Sequence, residues 1–89
     1  MAVVIVYKKE VENELGISLT DLDLLLIVKS VCMLISLSSC YDVFDDKYYD
    51  YAERLFGSRV FFKISTMALS GDEFTLKQNN SGVILQWLK

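Results

Sequence analysis

Residues 18–37, SLTDLDLLLIVKSVCMLISL, constrain the fold of this chain more than any other stretch. Ser18, with Asp21 three residues on, reads as a variant capping box in which a hydroxyl accepts an orphan backbone N–H while a carboxylate reaches back. On a helical wheel of the run that follows, Leu24, Ile27, Val28, Val31, Leu34 and Ile35 form one broad apolar face. Leu22, Leu26, Met33 and Leu37 form a second, narrower strip, bordered by Asp23 and Ser30 on one side and by Lys29 and Ser36 on the other. A surface helix needs only one apolar stripe, so two imply packing on two sides. The rest of the chain is expected to be arranged around this helix.

The same run invites comparison with a membrane span, which needs about 20 apolar residues. Its uninterrupted part is shorter, with Asp23 near the start and Lys29 near the middle. Each such charge costs about 2.5–3.5 kcal/mol at the centre of a membrane helix. A buried helix of a soluble domain, with the Lys29 ammonium extended to its edge, fits better.

At 89 residues, with 53% hydrophobic and 24% charged side chains, the chain is expected to form a single domain over residues 1–89, well clear of the disordered class. There is no proline and there are only four glycines, which argues against long flexible linkers. A net charge of −3 is mild and argues against binding nucleic acid over the whole surface. The N-terminus, MAVVIVYKKE, is apolar first and basic afterwards, the reverse of a secretory signal, so a cytoplasmic setting is expected. Cys32 and Cys40, about 12 Å apart if both lie on one helix, are too distant for a disulfide and read as free thiols.

Along the chain, residues 2–8 are β-branched and aromatic and read as a strand, apolar on both faces except at its end, which suits a strand inside a sheet or covered on two sides. A polar connection with a helical turn follows over residues 8–14 and ends at Gly16. After the central helix, a second helix is expected from about Val43 or Asp46 to Phe56, stopped by Gly57. Its apolar face, Phe44, Tyr48, Tyr51, Ala52 and Leu55, would cover the second strip of the central helix. Residues 59–66 alternate, with Val60, Phe62 and Ile64 on one side, and read as a strand. Residues 73–78 and 83–88 read as two more strands, joined by the Asn79–Asn80–Ser81–Gly82 hairpin loop. Phe74, Leu76, Val83, Leu85 and Trp87 would face the helices. The expected fold is α+β in the order strand-helix-helix-strand-strand-strand, with a mainly antiparallel sheet and a central buried helix.

Chemistry is narrowed mostly by what is missing. The chain has no histidine, the commonest general base and metal ligand, and no glycine-rich phosphate loop. Residues 42–53 have the length of a calcium loop, but the third position is Phe44 and the sixth, where the sharp turn needs glycine, is Lys47. The Asn79–Asn80–Ser81 glycosylation pattern reads more simply as a turn. The expectation is therefore a chain that is not an enzyme and that uses no cofactor or metal.

One composition stands out. Asp42, Asp45, Asp46, Asp50 and Glu53 crowd into the second helix with Tyr41, Tyr48, Tyr49 and Tyr51. Asp46, Asp50 and Glu53 share one strip, with Tyr49 and Phe56 at its border. Carboxylates steer an encounter with a basic surface, and a rigid aromatic supplies a buried anchor. An ordinary solvated face accounts for the same residues, with acids favoured near the helix start and Asp50–Arg54 as an i,i+4 pair. The expected function is a protein-binding module, a small stoichiometric inhibitor or immunity-type protein, with Asp46, Tyr49, Asp50 and Glu53 as its binding residues and a basic protein as partner. The alternative is a winged-helix nucleic-acid binder whose recognition helix would lie around residues 46–56, where the acids repel phosphate. A homodimer through the second strip of the central helix is a third possibility.

Overall fold

The computed structural model describes residues 3–36, 46–68 and 74–87. In chain order these form β1 (Val3–Tyr7), α1 (Lys8–Leu15), α2 (Asp21–Ser36), α3 (Asp46–Arg54), α4 (Arg59–Ala68), β2 (Phe74–Gln78) and β3 (Gly82–Trp87). The fold is α+β: four helices among the described residues, packed against an antiparallel three-stranded sheet of order β1-β3-β2. The class matches the sequence-based expectation; the element order does not, because two segments expected otherwise are helices.

The first is α1, expected as a polar connection with one turn. It is a helix of 8 residues whose Val11 and Leu15, four apart, are both buried. Gly16 ends it in the left-handed region at φ 69°, donating to the Glu12 carbonyl at 2.8 Å. Two of its three glutamates make tertiary bonds, and Glu14 is exposed. Glu10 pairs with Lys63 at 2.7 Å, and a Glu12 carboxylate oxygen accepts the Leu19 amide at 2.7 Å.

The second is α4, expected as a strand over residues 59–66. Val60 and Ile64 are four apart and lie on one side under either period, so they do not discriminate. Phe62 and Met67 do. Phe62 would share their side in a strand but is 62% exposed, whereas Met67, seven beyond Val60, is fully buried. The caps agree: Gly57 at φ 81° closes the turn after α3, and the Ser58 hydroxyl accepts the Phe61 amide at 3.1 Å.

The central helix is where it was expected, with a different start. Its N-cap is Thr20, not Ser18: the Thr20 hydroxyl accepts the Asp23 amide at 3.0 Å, and the Asp23 carboxylate accepts the Thr20 amide at 3.3 Å. α2 packs against α1, α3, α4, β2 and β3. Leu24, Ile27, Val28 and Val31 are buried, and Leu34 and Ile35 pack half-buried against the same core. The second strip differs from expectation. Leu22 is 60% exposed, and Leu26 and Met33 are half-buried outside the main core cluster. α3 packs on α2, and at the Asp23 border of the strip the Tyr48 hydroxyl donates to the Asp23 carboxylate at 2.6 Å. Leu37, Cys40 and Phe44 lie outside the described residues.

In the sheet, Val4 and Val6 of β1 pair with Leu85 and Val83 of β3, and Leu76 of β2 pairs with Leu85, which places one apolar layer under the helices. Phe74 and Leu76 face this layer as expected; the Trp87 side chain is outside the described set. β1 is an edge strand, and on its outer face Val3 and Tyr7 are 46% and 43% exposed while Ile5 is half-buried. Its outer edge is guarded by Lys63 of α4, whose ammonium donates to the Ile5 carbonyl at 3.2 Å and lies 5.1 Å from the centre of the Tyr7 ring. At the hairpin, the Asn79 carboxamide oxygen accepts the Ser81 and Gly82 amides at 2.8 and 2.9 Å. A side chain at Gly82 would collide with the Val6 carbonyl of the neighbouring strand.

Candidate functional site

α3 positions the residues expected to bind. Its inner face is Tyr48, Tyr51, Ala52 and Leu55, with Ala52 and Leu55 fully buried. That spacing of three and four directs Asp50 and Glu53 outward, and both are exposed. Tyr49 sits beside them, half-buried. Asp46 is the first residue of α3, and its side chain lies outside the described set. Of the four expected residues, Tyr49, Asp50 and Glu53 thus have described side chains.

The cations of α3 are drawn toward the protein's own aromatic rings. The ordinary pairing would join Asp50 to Arg54 one turn on, but among the described residues no such ion pair forms. The Arg54 guanidinium donates instead to the Leu15 carbonyl at 2.8 Å, capping the last residue of α1, and lies 6.0 Å from the Tyr51 ring centre. Lys47 lies 5.5 Å from the centre of the Tyr48 ring. A shallow surface depression is lined by Lys47, Asp50, Tyr51, Glu53 and Arg54.

Asp23 is the charged group that fastens this helix. The Tyr48 hydroxyl bond, and then the backbone bond from Thr20, hold its carboxyl below the usual value of 3.8, against a smaller opposing effect of burial. Cys32 is a buried free thiol, its pKa pushed up to about 12 by desolvation, which removes it as a nucleophile. Among the described residues no group of three Cys, Asp or Glu side chains converges to hold a metal ion. The part of the calcium-loop spacing that is described, residues 46–53, is helical.

A second exposed feature adjoins α3 and was missed in the sequence. Phe56, 51% exposed in the turn, stacks edge-on against Phe61 at 4.8 Å, and Phe61 stacks edge-on against Phe62 at 5.9 Å. The period-two reading of residues 59–66 hid it by turning Phe62 inward. The available signal was the N-cap serine after Gly57, which marks a helix start. The helix preceding the hairpin is therefore α4, not the acidic segment that a winged-helix reading would have to use.

No helix among the described residues is long and apolar enough to cross a membrane. Comparison with protein-family models, with curated proteins and with solved structures finds no match to this chain.

Proposed function

We propose that this protein is a non-enzymatic binding module that docks on a basic protein surface through the outer edge of α3, in the manner of a small stoichiometric inhibitor or immunity-type protein. The observation that supports this most is the fate of Arg54. Its guanidinium would neutralise Asp50 on an ordinary solvated helix, but it caps α1 and leaves Asp50 and Glu53 facing solvent. Exposed carboxylates on a helix anchored from behind by Tyr48, Ala52 and Leu55 are held in place before encounter, which lowers the entropy lost on docking. Tyr49 is the aromatic anchor beside them.

A nucleic-acid reading draws on one observation: α3, a four-residue turn at 55–58, α4 and the β2–β3 hairpin follow in helix-turn-helix-plus-wing order. The exposed face of α4 supports it poorly. Phe62 occupies that face, and Lys63 is held by Glu10 and the Ile5 carbonyl. Arg59 is then the one cation of α4 open to a phosphate, whereas duplex binders neutralise several, commonly about 6–10.

The test uses two baits, the wild-type chain and the Asp50→Asn/Glu53→Gln chain, exposed to a lysate of the source organism and read by mass spectrometry. A basic protein retained by the wild type and depleted on the neutralised bait is the expected result. Identical proteins on both baits would contradict the proposal. A steeply salt-dependent affinity of the wild type for duplex DNA would favour the second reading instead.

A further inference from the structure

The corner where α3 turns into α4 is chemically opposite to the α3 edge. From Arg54 to Ala68 the chain carries two arginines and one lysine and no acid, within a protein of net charge −3. Two of these cations are used internally: Arg54 on the Leu15 carbonyl, and Lys63 on Glu10 and the Ile5 carbonyl. Arg59 is exposed and, among the described residues, has no ion pair. Glu10 and Glu14 of α1 line a surface depression with it, but neither reaches ion-pair distance, and Glu10 is held by Lys63.

Beside Arg59 lies the aromatic ladder. Phe62 is one turn further along the same face of α4, and Phe61 bridges it edge-on to Phe56. Two phenylalanines more than half exposed, joined through a third, form a continuous apolar surface of the kind that marks an interaction site rather than scattered surface residues. Rings stacked on one another are already restrained, so little side-chain freedom remains to be lost on binding.

We infer that the Phe56–Arg59–Phe62 corner is a second docking surface, one that takes a protein segment in which a carboxylate stands next to aliphatic or aromatic side chains. Arg59 provides a fork for the carboxylate, and the ladder provides the area that gives affinity. A nucleic-acid strand is the weaker fit, because a single free cation neutralises about one phosphate and the net negative charge of the chain repels the rest. The surface adjoins the α3 edge at Phe56 but shares none of Tyr49, Asp50 or Glu53, and it selects a partner of opposite charge.

The experiment is selection of a displayed random peptide library on the intact chain, followed by affinity measurement of the enriched peptides against variants. Enriched peptides should combine Asp or Glu with Leu, Ile, Phe or Trp, and should weaken about tenfold or more on Phe62→Ser and on Arg59→Glu. They should bind the Asp50→Asn/Glu53→Gln chain as they bind wild type, which separates this surface from the α3 edge. Phe62→Ser should keep the native circular dichroism and unfold cooperatively with a slightly lower melting temperature, since the side chain is mostly solvent-exposed and loses only its edge-on contact with Phe61. No enrichment, enrichment of basic peptides, or binding that survives Phe62→Ser would overturn the inference. So would displacement of the peptides by a single-stranded oligonucleotide, or self-association of the wild-type chain that Phe62→Ser abolishes.

Discussion

Asp23 carries two structural roles on one carboxylate, closing the capping box with Thr20 and accepting the Tyr48 hydroxyl. Because the folded state lowers its pKa, the stability it contributes is present above the unfolded value of 3.8 and is lost as pH falls through the folded one. Tyr48→Phe should therefore return the Asp23 carboxyl toward 3.8 in an NMR titration and make the variant's stability less sensitive to acid over that window. An unmoved titration would show that the hydroxyl is not the cause. Only half of this was legible in sequence. Ser18–Asp21 and Thr20–Asp23 are overlapping boxes with the same spacing, and local pattern does not choose between them. The tertiary structure chooses: starting at Thr20 leaves Leu19 buried, with its amide satisfied by Glu12. Cys32 was legible as a core thiol. It should resist alkylation in the native chain at mildly alkaline pH and react at once in denaturant.

At the scale of elements, α2 was readable because its apolar run is long, and α3 because its face repeats at helical spacing up to Gly57. The hairpin was readable from its Asn-Asn-Ser-Gly turn. α4 was not, because its two central core residues, Val60 and Ile64, satisfy both periods and β-branched and aromatic residues favour a strand. Contacts with α2 and β1 override that propensity. The helix makes a prediction that the strand would not: Met67→Ala should cost about 2–5 kcal/mol, as for other fully buried large-to-small changes, while Phe62→Ser, which loses one edge-on ring contact, costs about 1 kcal/mol or less. Urea melts of the two variants decide it, and equal destabilisation would contradict the assignment. The β1–β3 pairing rests on a close approach. Gly82→Ala should lower the melting temperature sharply, because a Cβ there meets the Val6 carbonyl, and wild-type stability in that variant would contradict the register.

Across the whole molecule, the sheet lies under α2 and α4, and α3 packs on α2 with no comparable contact to a strand. α3 closes the core over α2 with Ala52 and Leu55 and turns Asp50 and Glu53 to solvent. The acidic composition of that helix was visible in sequence, but the bond of Arg54 to α1 was not, since its acceptor, the Leu15 carbonyl, is 39 residues away. The exposure of Leu22, at the start of the second α2 strip, was not visible in sequence either, and Leu37 and Phe44, at the far end of the expected cover, lie outside the described residues. The measurement that bears most directly on the proposed role is the association rate of the captured basic partner with wild-type and Asp50→Asn/Glu53→Gln chains, by stopped flow at low and physiological salt. Exposed charges contribute about 0–1 kcal/mol to folding, so the variant should keep its stability. It should associate several-fold more slowly at low salt, with the difference shrinking as salt screens the field, because those carboxylates steer the encounter. Equal rates for the two chains at both salt concentrations would mean that the acidic edge of α3 is only a solvated face.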